Sequence, residues 1–143
     1  MFKNILVGAD DSATALRAVE AAVKLAAIFE ATLHIATAYK VEAVRVADIA
    51  SGSVAADYVH PADALLDQLT ALARSNGVDA EIHAATGDPA DAIIRVAERV
   101  NADLIVVGNK GMRGARRILG SVPNSIAHEA QCSVLIVDTT SGD

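Results

Sequence analysis

Four glycines, at positions 108, 111, 114 and 120, fall within thirteen residues, out of nine in the whole chain, and Ser121 follows the last of them. Glycine lets a backbone turn sharply and bring its N–H groups close to an anion. Lys110, Arg113, Arg116 and Arg117 lie in the same stretch and supply a third of the 12 basic residues of a chain whose net charge is −6. A positive patch on an acidic protein, set in a glycine-rich loop, suits an anionic ligand. The four cations alone would read as a solvated surface turn. Glycines, serine and a helix start at Gly120-Ser121 together point to phosphate, because free N–H groups and the dipole at a helix N-terminus favour it.

The second place for chemistry is Gly8-Ala9-Asp10-Asp11-Ser12, directly after the first apolar run. Asp10 reads either as a ligand contact or as a turn and cap former with Asp11 and Ser12. Other chemistries find no footing. The chain has no G-x-G-x-x-G, no G-x-x-x-x-G-K-[ST] and no G-x-S-x-G, which excludes the dinucleotide fingerprint, the P-loop and the nucleophile elbow. His34, His60, His83 and His128 are scattered without metal-ligand spacing, and the lone Cys132 cannot complete a zinc site, so no metal site is expected. Each histidine reads as a surface or strand-end residue, and Cys132 as a buried one at a strand edge.

These loops need elements to hold them. Residues 4–9 form a continuous apolar run, as a strand buried on both faces should. Asp11 or Ser12 can cap a following helix with Leu16, Val19, Val23, Ala26 and Ala27 on one face. A second strand is expected at 31–38. After it, Pro61 opens a helix with Leu65, Leu66, Leu69, Leu72 and Ala73 inward, closed at Asn76-Gly77 by a left-handed glycine. A third strand runs over 79–86. Asp88 and Pro89 then start a third helix as N-cap and first helical residue, with Ile93, Ile94, Ala97 and Val100 inward. Strands over 103–108 and 133–138 flank a helix over 121–130. Five buried strands alternating with four helices make a three-layer α/β domain, here taken as one unit over 1–143, whose ligand belongs beyond the carboxyl ends of the strands. The Ala- and Val-rich stretch 40–60 reads equally as a lid or as a short helix with a turn.

Composition agrees. The 143 residues are 52% hydrophobic and 3% aromatic, too apolar for disorder and poor in stacking platforms for nucleic acid. No apolar run approaches the roughly 20 residues of a membrane span, and the N-terminus enters a strand without a signal-peptide core. A soluble cytoplasmic protein, without nucleic-acid or membrane partners, is expected.

With the strand, Asp10-x-Ser12 and Gly108-x-x-Gly111-x8-Gly120-Ser121 in place, the chain resembles the universal stress protein family. The likeness also takes in Gly87-Asp88-Pro89 and the close at Ser133 to Asp138. Members that bind ATP carry Gly-x-x-Gly-x9-Gly-[Ser/Thr/Asn]; here the segment between Gly111 and Gly120 is one residue shorter, with Gly114 inside it. The resemblance implies an adenine-nucleotide alpha hydrolase-like fold, a doubly wound five-stranded parallel sheet. It implies nucleotide contacts from Asp10 and Ser12, the backbone of Ala38, Gly108 with Asn109, Lys110 and Gly111, Arg113, and Gly120, Ser121 and Val122. Any Mg²⁺ would be held mainly by ATP phosphates, and cyclic AMP is the alternative ligand. It also implies a homodimer through the last strand, Ser133 to Asp138.

The expected function is a nucleotide-dependent stress or signalling switch rather than an enzyme, since the sequence shows no evident base to activate water; slow ATP hydrolysis or autophosphorylation stays within the resemblance. Two other readings compete. One is a dimeric interaction protein with a vestigial pocket. The other is a phospho-accepting receiver domain, in which Asp88 would be the acceptor although Pro89 makes it a better helix cap.

Overall fold

In the computed structural model, residues 1–9, 13–39, 61–109 and 121–139 are described. The elements are β1 (Asn4–Gly8), α1 (Ala13–Phe29), β2 (Thr32–Tyr39), α2 (Pro61–Ser75), β3 (Ala80–Thr86), α3 (Pro89–Val100), β4 (Leu104–Gly108), α4 (Val122–Glu129) and β5 (Ser133–Val137). The five strands form one parallel sheet in the order β3-β2-β1-β4-β5. The chain builds outward from β1 to β3 and then returns to β4 on the other side. The reversal therefore lies between β1 and β4, where the loops after neighbouring strands diverge and leave a crevice.

The apolar runs are continuous because both sheet faces are covered, and successive residues serve different cores. Ile5, Val7, Leu33, Ile35, Leu104 and Val106 pack against Val19, Val23 and Ala26 of α1 and Leu66, Leu69 and Ala73 of α2. Leu6, Ala36, Ile105 and Val107, one residue out of phase, pack against Ala90, Ile93, Val96 and Ala97 of α3 and Ile126 of α4. Helices on both faces make this the three-layer, doubly wound architecture.

Punctuation residues act as expected. Gly77 takes φ +73° beyond α2. Asp88 caps α3, its Oδ1 accepting from Asp91 N at 3.2 Å with Pro89 in the first turn, and Ser121 caps α4 in the same way through Asn124 N at 3.3 Å. Two expectations are corrected. Leu16 is 44% exposed and Ala27 is also exposed; the inward stripe of α1 is Ala18, Val19, Ala22, Val23 and Ala26, rotated away from them. The strands are not all buried either. The order puts β3 and β5 at the edges, where Ile82 and Leu135 are exposed at 41% and 38%.

Candidate functional site

Three described segments end at the carboxyl edge of the sheet beside the reversal. β1 is prolonged by Ala9, whose N–H donates to Ala36 O at 2.8 Å. Ala38 lies near the end of β2, paired with Ala85 of β3. β4 ends at Gly108, with Asn109 beyond it. α4 starts at Val122 behind its Ser121 cap. Asp10, Ser12, Lys110, Gly111, Arg113 and Gly120 lie outside the described residues, as do the 40–60 stretch, Asp11, Arg116, Arg117 and His60.

The start of α4 has few donors to offer. Pro123 has no N–H, and the Asn124 N–H is engaged by Ser121 Oγ. Among the described residues no acceptor meets the backbone N–H of Ser121 or of Val122, the open donors at this helix start. The Ser121 hydroxyl accepts from Asn124 and keeps its own proton to donate, so one side chain can cap the helix and meet a phosphate oxygen.

Asn109 has a structural task that its place in the loop does not announce. Its Nδ2 donates to Asp138 Oδ1 at 2.9 Å, while its Oδ1 accepts from Thr139 N at 3.0 Å and Thr139 Oγ1 at 2.9 Å. The Asn109 N–H donates to Val137 O at 3.0 Å. Both ends of the amide are thus committed to clasping the segment after β5 onto the end of β4. Gly108 belongs to the same arrangement: a Cβ there would lie 3.1 Å from Thr139 Cγ2. Its missing side chain makes room for Thr139, which is 3% exposed and whose carbonyl accepts from Arg17 Nη1 at 3.2 Å.

A hollow of about 300 Å³ lies elsewhere, lined by Ile94, Ala97, Glu98, Ile105, Ala130 and Cys132 among others. Its charged lining group is the acidic Glu98, which does not suit an anion. Cys132 is half-buried there, and burial, helped by Asp103, pushes its thiol pKa up, so it stays protonated.

Sequence spacing missed one constellation. His34 and His83, 49 residues apart, meet across β2 and β3 with Nδ1 and Nε2 3.1 Å apart, and Glu81 stands beside both. His34 is 4% exposed in mid-strand, contrary to the expected surface or strand-end position. Only the pairing of β2 with β3, which no local pattern announces, brings the two together.

The fold and the reversal site define an open parallel α/β domain of the kind that takes a ligand above its strand ends. The family model of the universal stress protein family matches residues 1–138, and the chain belongs to that family. A universal stress protein of Mycobacterium tuberculosis is 38% identical over 144 residues, covering 97% of this chain and 98% of the relative. The crystal structure of a universal stress protein in complex with cAMP is 36% identical, with TM-score 0.81 over 97% of this chain and 98% of that one. An Archaeoglobus fulgidus member in complex with dAMP, 21% identical at TM-score 0.70 over 95% and 98% of the two chains, shares the fold.

Among the described residues no helix is long and apolar enough to cross a membrane.

Proposed function

We propose that this universal stress protein binds an adenine nucleotide at the carboxyl ends of β1 and β4 and acts by changing state on binding. The observation that carries this reading is the cAMP complex of a 36% identical relative whose fold superposes over nearly the whole chain. In this reading Ala38 meets the base through its backbone, and Asp10 and Ser12 flank the ribose. Gly111, Gly120, Ser121 and Val122 take the phosphates, with Lys110 and Arg113 adding positive charge. Ser121 and Val122 fit the part, holding a hydroxyl proton and an open N–H at a helix start. Gly108 and Asn109 open the loop beside the ligand, while the Asn109 side chain also clasps Asp138 and Thr139.

ATP, with Mg²⁺ carried on its phosphates, and cAMP are the two ligands to separate. The protein works in this reading as a cytoplasmic homodimer joined along β5, a partly exposed edge strand whose unpaired backbone groups a second copy would satisfy. Its action is binding, not turnover.

A thermal-shift panel on nucleotide-stripped protein tests the reading, with ATP with and without Mg²⁺, AMP, cAMP and GTP. A ligand at about 100 times its Kd adds roughly 2.7 kcal/mol, which for a domain of this size is a rise of roughly 5–15 °C. A shift with ATP and little with AMP assigns the polyphosphate to the glycine loop. A shift with cAMP alone keeps the pocket and changes the messenger. No shift with any adenine nucleotide overturns the proposal and leaves a dimeric interaction protein.

A further inference from the structure

We infer that His34, Glu81 and His83 form a binding site for one divalent transition-metal ion of the zinc type, on the β2–β3 pair and set back along the strands from the nucleotide site.

The geometry carries this. His34 Nδ1, His83 Nε2 and Glu81 Oε2 are separated by 3.1, 3.3 and 3.9 Å. A triangle with those sides has a circumradius of about 2.0 Å, so one point lies a Zn–N or Zn–O bond length from all three atoms. For bonds of that length, donor atoms around a tetrahedral ion sit about 3.3 Å apart, within the observed range. The three side chains are already at coordination distance from a common centre.

The backbone explains why. β2 and β3 pair in parallel with His34 opposite Glu81 and Ala36 opposite His83. Residues two apart on a strand share a face, so Glu81 and His83 both stand beside His34. Two imidazole nitrogens and a carboxylate oxygen favour Zn²⁺ and its neighbours over Mg²⁺ or Ca²⁺, which prefer all-oxygen shells. The Glu81 side chain is 63% exposed while that of His34 is 5% exposed, so the ion would be anchored from inside and open to solvent on the outer side.

The hydrogen bonds around the rings set which nitrogen is free. Arg99 can only donate, so its Nη2, 3.2 Å from His83 Nδ1, makes that nitrogen an acceptor and puts the proton of neutral His83 on Nε2. That proton points to His34 Nδ1, and His34 Nε2–H donates to Asn4 Oδ1 at 3.3 Å. His34 is therefore held in the tautomer a metal needs, with a bare Nδ1 and its other nitrogen fixed by an outer partner. His83 is not. To ligate through Nε2 its proton must move to Nδ1, and Arg99, an exposed side chain in the last turn of α3, must withdraw. No proton is released overall. Burial lowers the pKa of both histidines and favours the neutral rings that bind metal.

His34 lies four residues before Ala38 on β2, about 13 Å along the strand, so the site is distinct from the nucleotide end.

The test titrates metal-free protein with Zn²⁺ against a chromophoric chelator, and with Co²⁺ while recording its visible absorption. The proposal requires one ion per chain and an affinity that falls at least about tenfold in both His83→Gln and Glu81→Gln. Neither side chain belongs to the two hydrophobic cores, Glu81 being 63% and His83 14% exposed. Arg99→Gln should instead tighten binding, because a glutamine oxygen can accept the Nδ1 proton and a positive charge is gone. Ser121→Asp, outside this cluster, should leave it unchanged. Absence of one-to-one binding overturns the proposal, as does binding that survives in both His83→Gln and Glu81→Gln.

Discussion

Asn109 holds Thr139 by two hydrogen bonds to a single oxygen, from its N–H at 3.0 Å and its hydroxyl at 2.9 Å. The bonds join the residue that begins the glycine loop to the segment that leaves β5, the strand expected to carry dimerisation. The end of β4 and the segment after β5 are thereby fastened to one amide.

Replacing that amide should loosen both. Asn109→Leu removes three side-chain hydrogen bonds and should cost about 2–3 kcal/mol at roughly 1 kcal/mol each. Asn109→Asp keeps the acceptor for Thr139 but sets a carboxylate against Asp138, so its loss should be smaller. Urea denaturation of the three proteins gives the order; a leucine variant as stable as wild type would contradict the clasp.

Ser121 separates capping from ligand binding. Ser121→Ala should lose about 1 kcal/mol of stability with the cap. Ser121→Asp keeps a capping oxygen and should unfold near the wild-type midpoint, yet its carboxylate should abolish the thermal shift given by a phosphate ligand. If the aspartate variant responds to nucleotide as wild type does, phosphate does not sit at this helix start.

Two glycines with positive φ should behave differently. Gly77, at φ +73°, is close to the left-handed conformation that asparagine tolerates, so Gly77→Asn should cost less than about 1 kcal/mol. Gly87, at φ +105°, is outside it, and Gly87→Ala should cost about 1–3 kcal/mol. Chemical denaturation midpoints compare the two, and equal losses would count against this explanation.

Acid should weaken the metal-free fold through the histidine pair. Burial is the largest influence holding His34 and His83 below the ordinary 6.5; for His83, His34 and Arg99 add to it, and Glu81 opposes it at both. The unfolded chain then binds protons at a higher pH than the folded one. Their contribution to stability is whole above about pH 6.5 and is lost as the pH falls below it through the lower folded values. Denaturation midpoints measured in chelator between about pH 5 and 8 should show this slope, and His83→Gln should flatten it.

Where the chemistry is local, the sequence reads well. Asp88-Pro89, Asn76-Gly77 and Ser121 each act within one turn of themselves, and all three do so where expected. The strands were legible because continuous apolar runs follow directly from burial on two faces. What failed was information held between elements. Leu16 has the right type and nearly the right spacing, but the stripe of α1 is fixed by how the helix rolls onto β1 and β4. β3 and β5 look buried in a sequence that does not state strand order. The contacts of Asn109 and Gly108 with Thr139, thirty positions on from Asn109, are equally invisible in a loop pattern. Of the candidate site, the described part bears on Ala38, Gly108, Asn109, Ser121 and Val122.

The two interleaved cores change what guards the sheet against misregistration. In a sheet with one wet face, slipping a strand by one residue drives polar groups inward and is strongly opposed. Here both faces of β1 and β2 are covered, and apart from His34 and the small Thr37 an out-of-step β2 would still present aliphatic side chains to either layer. His34 restores the missing penalty. Shifted by one position it would turn from Asn4 and His83 into the layer of Leu33 and Ile35, a buried polar ring among aliphatic side chains. One histidine amid aliphatic residues thus acts as an index pin for the alignment of β2.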